Sequence, residues 1–322
     1  VSLIKEKTED NLRYLIFGSG GVGSFYGALL ARCGKEVVFL GRGDHLKAMK
    51  EKGLKVESFK HGNFFVKEGE KVLFTDRTEG LGKFDVVLFC VKSYDTEKGA
   101  PLLKELLKED GVVISLQNGI ENEEILAEYV GKGRVLGATA FIGVYVKEPG
   151  VIVHEAAGLL EIGELSGEVS DRVNKIVNEL KSCGIEARVS KDINYTLWKK
   201  LVWNVAFNPY SVITKGTVGE LLDFEGTREV LRRLMEECFK VAEAYGVKLK
   251  PSLIERYLKS SPDLKGYKTS MLLDFERGKP LEIDGITGAL IRKAEKKGIE
   301  VPYNKCVYST VRFLLKKRSK NG

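Results

Sequence analysis

No stretch of this chain approaches the roughly 20 consecutive apolar residues that a bilayer span needs, and the leading "VSLIKEKTEDN" carries no signal-peptide core. Membrane insertion and export are thereby set aside, and the cytoplasm is the expected compartment. Cysteine is sparse. Cys33, Cys90, Cys183, Cys238 and Cys306 are scattered and odd in number, with no close pair of the kind zinc sites and redox motifs use. They read as reduced thiols, and no metal site is expected. His45, His61 and His154 are isolated, and none is assigned a role. Gln117 is the only glutamine while Lys and Glu abound, a bias that leans towards a heat-adapted source.

What is present is an ordinary globular composition. With 322 residues and 43% hydrophobic content the chain can build a full core, and its length favours two domains. The net charge of +7 comes from acids and bases that interleave, as in "KAMKEKGLKVESFK". Only "KKRSK" at 316–320 is a basic block, and it reads as a solvated terminus rather than a nucleic-acid contact.

The first half alternates apolar runs with helical patterns. "RYLIF" (13–17), "EVVFLG" (36–41), "DVVLFCV" (85–91), "GVVISL" (111–116) and "RVLGA" (134–138) read as strands of a sheet covered on both faces. Helical periodicity over 22–33, 94–108 and 121–130 between them predicts a βαβ succession, hence an α/β, doubly wound Rossmann-type sheet. Residues 139–165 read as added antiparallel strands turning at "EPG" and "AAG", followed by a helix at about 168–182 and the short strand "EARV". From Asp192 onward the strands stop. Helices over 192–208, 226–246, 252–260, 268–277, 285–297 and 303–317 predict an all-α C-terminal domain. The expected division is 1–190, with 1–11 as an extension, and 191–322, with a cleft between.

Gly18, Gly20 and Gly23 form G-x-G-x-x-G directly after a strand and at the opening of a helix. The first permits a tight turn, the second lets backbone approach a pyrophosphate, and the third lets helix and strand pack closely. The anion then meets free N–H groups at the helix N-terminus. Gly18, Ser19, Gly20, Gly21, Val22 and Gly23 are therefore the expected dinucleotide loop. An acid at the end of the second strand would accept a ribose 2′-OH, but Arg42 stands there, 19 residues after Gly23. A guanidinium suits a 2′-phosphate, which favours NADP over NAD, with NADH still allowed.

In "LWKKLVWNVAFNP" (197–209), Lys200, Asn204 and Asn208 recur every fourth residue, so on a helix they make one narrow polar stripe. Trp203 and Phe207 edge one side of it, and Leu201 and Val205 the other. The stripe is either a thin wet face or a polar seam within a cleft. Pro209 biases Asn208 away from helical geometry, so the helix is expected to end or kink there.

Together with the glycine loop, "LQNGIENEE" (116–124), "LWKKLVWNVAFNP" and "SMLLDFERGKPLEIDGITGALIRKAEKKGIEVP" (270–302) resemble the 2-dehydropantoate 2-reductase (ketopantoate reductase) family over nearly the whole chain. The resemblance implies NADPH-dependent reduction of ketopantoate to pantoate by direct hydride transfer, in the route to pantothenate and coenzyme A. It makes Lys200 the catalytic lysine and a substrate contact, with Glu282 as the second catalytic residue, an acid close to Lys200, the nicotinamide and the substrate. Asn118, Asn204, Asn208 and Ser270 become substrate contacts, and Arg42, Lys92, Asn118, Glu282 and, more loosely, Gly143 cofactor contacts. The chemistry agrees with those residue types, because a ketone receiving hydride develops negative charge that needs a proton donor and preorganised hydrogen bonds. One departure is Val218 in "VGEL", where family members commonly carry asparagine, and it bears on substrate identity more than reaction type. The alternatives are a reductase of another branched 2-oxo acid and a non-catalytic NADP-binding sensor. A homodimer is an allowed assembly, and neither nucleic acid nor membrane is an expected partner.

Overall fold

The computed structural model describes residues 12–259 and 262–320, so the N-terminal extension read from the sequence lies outside the described residues. The chain divides into two compact units. One comprises residues up to 91, 95–117 and 123–193, and the other 92–94, 118–122 and 194 onward.

Among the described residues, the first unit is built on a sheet of ten strands. They are β1 (Arg13–Phe17), β2 (Glu36–Leu40), β3 (Leu54–Ser58), β4 (Gly62–Val66), β5 (Val72–Thr75), β6 (Phe84–Phe89), β7 (Leu107–Ser115), β8 (Val135–Glu148), β9 (Val151–Glu164) and β10 (Ala187–Val189). Their order is β4-β3-β9-β8-β7-β6-β1-β2-β5, with β10 beside β9. The run from β5 to β8 is parallel, and β8 with β9 and β3 with β4 are antiparallel. This is the expected doubly wound sheet with added antiparallel strands. Alternate side chains of β1 enter two different cores, as the period of a strand demands. Tyr14 and Ile16 pack with helices α1 (Gly21–Arg32), α2 (Gly43–Lys52) and a later helix at 171–182, while Leu15 and Phe17 pack with Leu103, Leu106, Leu126 and Val130.

Several expectations are corrected in this unit. Strands β3, β4 and β5 and helix α2 were not anticipated. Residues 94–108 form only short helical turns, broken around Gly99 and Pro101. "EPG" does turn the chain, but "AAG" does not: β9 runs through it, with Ala157 (φ 57°) and Gly158 (φ 126°) forming a bulge opposite Phe141 and Ile142. His154 Nε2 meets the Ala157 carbonyl at 3.0 Å and Tyr26 donates to the Gly158 carbonyl at 3.2 Å, so the bulge is fastened from inside. Cys33 and Cys183, read as thiols, are joined in a disulfide with Cα atoms 5.2 Å apart, inside the usual range. It ties the C-terminal ends of α1 and the 171–182 helix, which the sheet places side by side although 150 residues separate them.

The second unit is helical, with α3 (Ile193–Thr214), α4 (Glu225–Ala244), α5 (Ser270–Glu276), a π turn at Asp284–Gly288 leading into α6 (Ala289–Lys296), and α7 (Pro302–Lys320) as its main parts. Pro209 lies inside α3 and does not end it. A proline within a helix costs about 3 kcal/mol, but Val202, Val205, Ala206, Phe207 and Val212 are all fully buried on this helix. Each large apolar side chain contributes about 1.5–3 kcal/mol on burial, so packing wins. The basic block at 316–320 ends α7 with Lys316 and Lys317 exposed, as a solvated terminus would be, and Arg318 donates to the carbonyls of Phe275 and Lys279 at 3.1 and 3.0 Å. Among the described residues no helix is long and apolar enough to cross a membrane.

Candidate active site

The glycine loop sits at the carboxyl end of β1, between β2 and β6. Gly18 and Ser19 donate backbone N–H groups to the Leu40 carbonyl at 3.0 Å, and Ser19 Oγ adds a third bond to the same oxygen at 2.9 Å. Gly18 has φ +109°, and a Cβ there would lie 2.7 Å from Val91 N. Gly23 is closer still, since its Cβ would fall 2.1 Å from the Gly18 carbonyl oxygen. These two glycines are demanded by the protein itself. Gly20 is not: its φ of −75° and ψ of −164° suit any residue, and a Cβ there meets nothing within 4 Å.

Gly20 is the N-cap of α1; among the described residues no side chain caps that helix, and no acid occupies its first turn. The first N–H groups of a helix have no partner within it and carry a positive field. A glycine without an internal reason, in front of uncapped N–H groups, is a cradle that a methyl group would fill, and the donor set suits a pyrophosphate. Gly21 packs on β8, where its Cβ would lie 3.0 Å from Tyr145 Cα. Val22 is half-buried beside it. Gly143 lies in β8 opposite Ala156. At the end of β2, Arg42 is exposed and opens α2, with its guanidinium 2.6 Å from the Asp95 carboxylate. The residues here fit a phosphorylated dinucleotide.

In the helical unit, α3 settles what the polar stripe is. Asn204 is 6% exposed and Asn208 3%, while Lys200 is half-buried, so the stripe is no wet face. Leu201, Val205 and Phe207 beside it are buried, and Trp203 packs at a tilt on Phe207 with ring centroids 4.1 Å apart and meets Tyr257 edge-on at 5.3 Å. The Asn204 Nδ2 amide is buried with no hydrogen-bond partner among the described residues. Leaving such a group unpaired costs about 1–3 kcal/mol, so a native orphan calls for an explanation such as a missing ligand.

A second polar group gathers around residues 92–94, 118–122 and 282–288. Lys92 Nζ lies 3.1 Å from Glu282 and 2.8 Å from Asp274 on α5, and the Ser93 backbone N–H donates to Glu282 at 3.0 Å. Burial alone would push the Glu282 carboxyl up. The Lys92 ammonium and the Ser93 N–H outweigh it and hold the group below the ordinary carboxylate range. Burial likewise disfavours the Lys92 ammonium, but Glu282 and Asp274 reverse the balance and raise its pKa. Two glycines let these segments meet: a Cβ on Gly119 would be 2.4 Å from the Gly285 carbonyl, and one on Gly285 would be 2.2 Å from Ser93 Oγ. Asn118 is half-buried in the same loop, and its carbonyl accepts from the Asn122 amide at 2.9 Å.

The structure thus brings Lys92 and Glu282 together as an ion pair, and it makes Lys92 a cation partner of the acid that sequence reasoning set beside Lys200. Ser270 opens α5 with an exposed side chain. The buried hydroxyl is its neighbour Thr269, which caps the helix and meets Ser211 at 2.7 Å. Asp274, Asp95 and Gly285 were missed. The "SMLLD" spacing puts Asp274 one helical turn after Ser270, the one signal that could have flagged it. Val218, the departure, is fully buried, and its N–H donates to Tyr267 at 2.8 Å.

Residues 14–167 match the family described as Ketopantoate reductase PanE/ApbA, and residues 192–315 match its C-terminal part. A 2-dehydropantoate 2-reductase of Archaeoglobus fulgidus is 36% identical over 300 residues, covering 93% of this chain and 97% of that protein. One from Nostoc sp. is 32% identical over 307 residues, covering 94% and 95%. The crystal structure of 2-dehydropantoate 2-reductase from Geobacter metallireducens is similar with a TM-score of 0.87 at 31% identity, over 95% of this chain and all of the other. With a glycine loop, a stripe of half-buried lysine and buried asparagines, and relatives aligned almost end to end, the chain belongs to the ketopantoate reductase family.

Proposed function

We propose that this protein reduces 2-dehydropantoate to pantoate with NADPH, with Lys200 as general acid, in the route to pantothenate and coenzyme A. The observation that carries the reading is the buried stripe on α3, where the unpartnered Asn204 amide lies one turn from the half-buried Lys200. NADPH, when bound, supplies the hydride. The backbone of Gly18, Ser19, Gly20, Gly21, Val22 and Gly23 holds its pyrophosphate, and Arg42 takes the 2′-phosphate. Lys200 donates hydrogen bonds to the carbonyl oxygen as negative charge grows there and delivers the proton that completes the alcohol. Asn204 and Asn208 bind substrate without adding a charge that would compete with its carboxylate. Asn118 and Ser270 are further substrate contacts. Lys92, Asn118 and Glu282 contact the cofactor, and the Lys92–Glu282 pair keeps the acid ionised and fixed. Residues 1–190 serve as the dinucleotide-binding domain and 191–322 as the substrate and catalytic domain, in the cytoplasm.

Steady-state turnover with 2-dehydropantoate, followed by loss of nicotinamide absorbance, tests this. Lys200→Ala is expected to lower kcat by roughly 10²–10⁴-fold, the usual contribution of a positioned acid, while the Kd for NADPH stays within a few-fold. Wild-type turnover in that variant rejects the assignment.

Buried Val218 supports a second reading, a reductase of another branched 2-oxo acid, because a valine cannot supply the hydrogen bond of an asparagine. The same assay separates the two when 2-dehydropantoate is compared with its analogue lacking the hydroxyl. A site that bonds the hydroxyl discriminates strongly in kcat/KM, and an indifferent site favours the second reading.

A further inference from the structure

Arg42 follows β2 and Asp95 follows β6, the two strands that flank β1. Their ion pair, 2.6 Å from Nη2 to Oδ2, therefore spans the carboxyl end of β1, where the glycine loop emerges. The two ends of the span differ in firmness. The Arg42 side chain is 80% exposed, whereas that of Asp95 is 14% exposed. The residue after Asp95, Thr96, is fully buried, and its hydroxyl accepts from Gln117 Nε2 at 2.7 Å, an amide that also donates to the Val91 carbonyl at 2.9 Å. Asp95 is thus an anchored carboxylate, and Arg42 is a long exposed side chain that rests on it.

Resting on the reading of Arg42 as the 2′-phosphate contact, we infer that Asp95 is a specificity-determining residue, an internal anion that occupies Arg42 and that the cofactor's 2′-phosphate must displace. One guanidinium nitrogen cannot make the same short contact to the carboxylate and to a phosphate at once, and both anions seek the same fork. Lys98, with its ammonium 3.9 Å from Asp95, stays with the carboxylate when Arg42 swings away, so the exchange leaves no bare charge behind. NADH has no 2′-phosphate and leaves the pair in place. Asp95 thereby holds down the preference for NADPH over NADH and lets the enzyme accept both.

An exposed pair of this kind is worth up to about 1 kcal/mol, which sets the size of the effect at roughly fivefold. The test is calorimetric binding of NADP⁺ and NAD⁺ to the full chain as wild type, Asp95→Asn, Asp95→Ser, Arg42→Ala and the Arg42→Ala/Asp95→Asn double variant, with melting temperatures to confirm folding. Asp95→Asn and Asp95→Ser are expected to tighten NADP⁺ by roughly fivefold and to leave NAD⁺ within twofold. In the Arg42→Ala background the Asp95→Asn change should be silent. Weaker NADP⁺ binding in both Asp95 variants, or an equal change for the two cofactors, overturns the inference. If Arg42→Ala leaves the NADP⁺/NAD⁺ ratio unchanged, the reading of Arg42 itself is wrong. If it collapses the ratio while Asp95→Asn does nothing, only the role of Asp95 falls.

Discussion

Replacing Gly20 by alanine adds one methyl group at a position where the folded chain offers it open space. The backbone there is extended, and a Cβ meets nothing within 4 Å. Alanine reduces the freedom of the unfolded chain, a gain of about 0.4–1 kcal/mol. It is a poorer helix N-cap than glycine by an amount of about the same order. The cofactor-free protein should therefore melt where wild type does, within about 1 kcal/mol. A bound pyrophosphate would meet the methyl group, and forcing an extra methyl into a filled contact costs about 1–3 kcal/mol. At 1.4 kcal/mol per decade this weakens NADPH by roughly 5- to 150-fold. Gly23→Ala is the control. Its Cβ would fall 2.1 Å from the Gly18 carbonyl and 2.9 Å from Ile16 Cγ2, so it should destabilise the protein with or without cofactor. Fluorescence titration of NADPH and melting curves with and without it read both quantities. If Gly20→Ala binds NADPH as wild type does, or melts as low as Gly23→Ala without it, the loop is not a phosphate cradle.

The Cys33–Cys183 bridge closes a loop of about 150 residues, for which the chain-entropy model gives a ceiling of about 5 kcal/mol. Melting with a strong phosphine reductant should lower Tm, by at most about 10–20 °C for a unit of this size, and Cys33→Ser should melt at the reduced value with or without reductant; an unchanged Tm on reduction refutes the bridge. Glu282 has its folded pKa depressed, so its contribution to stability is present above the ordinary carboxylate range and is lost as pH falls through the folded value. Glu282→Gln should accordingly flatten the acid limb of a Tm-against-pH profile below about pH 4.5, and an acid limb identical to wild type would contradict the pairing with Lys92.

The parts of the fold and site legible in the sequence are those set by local pattern. The glycine loop, the parallel strands and the Lys200–Asn204–Asn208 stripe are written in spacings of two to five residues, and each lies where periodicity put it. What escaped depends on distant partners. Asp95 lies 53 residues from Arg42, and Cys183 lies 150 from Cys33, so only the strand order makes either pair. Strands β3 and β4 lie at one end of the sheet, where "LKVES" and "GNFFV" leave side chains exposed or half-buried, so they lack the continuous apolar run that marked the others. Pro209 stays inside α3 because the buried side chains that hold the helix together outweigh the local backbone preference.

The contacts of Gly119 with Gly285 and of Gly285 with Ser93 have a consequence for anyone redesigning this enzyme. Three stretches far apart in the gene interlock through surfaces that lack room for a single carbon atom. A graft that imports one of them from a homologue with different side chains at the junction carries a steric mismatch into the other two. Segments 92–94, 118–122 and 282–288 should therefore be exchanged as one cassette, and libraries that vary them independently will consist mainly of misassembled proteins.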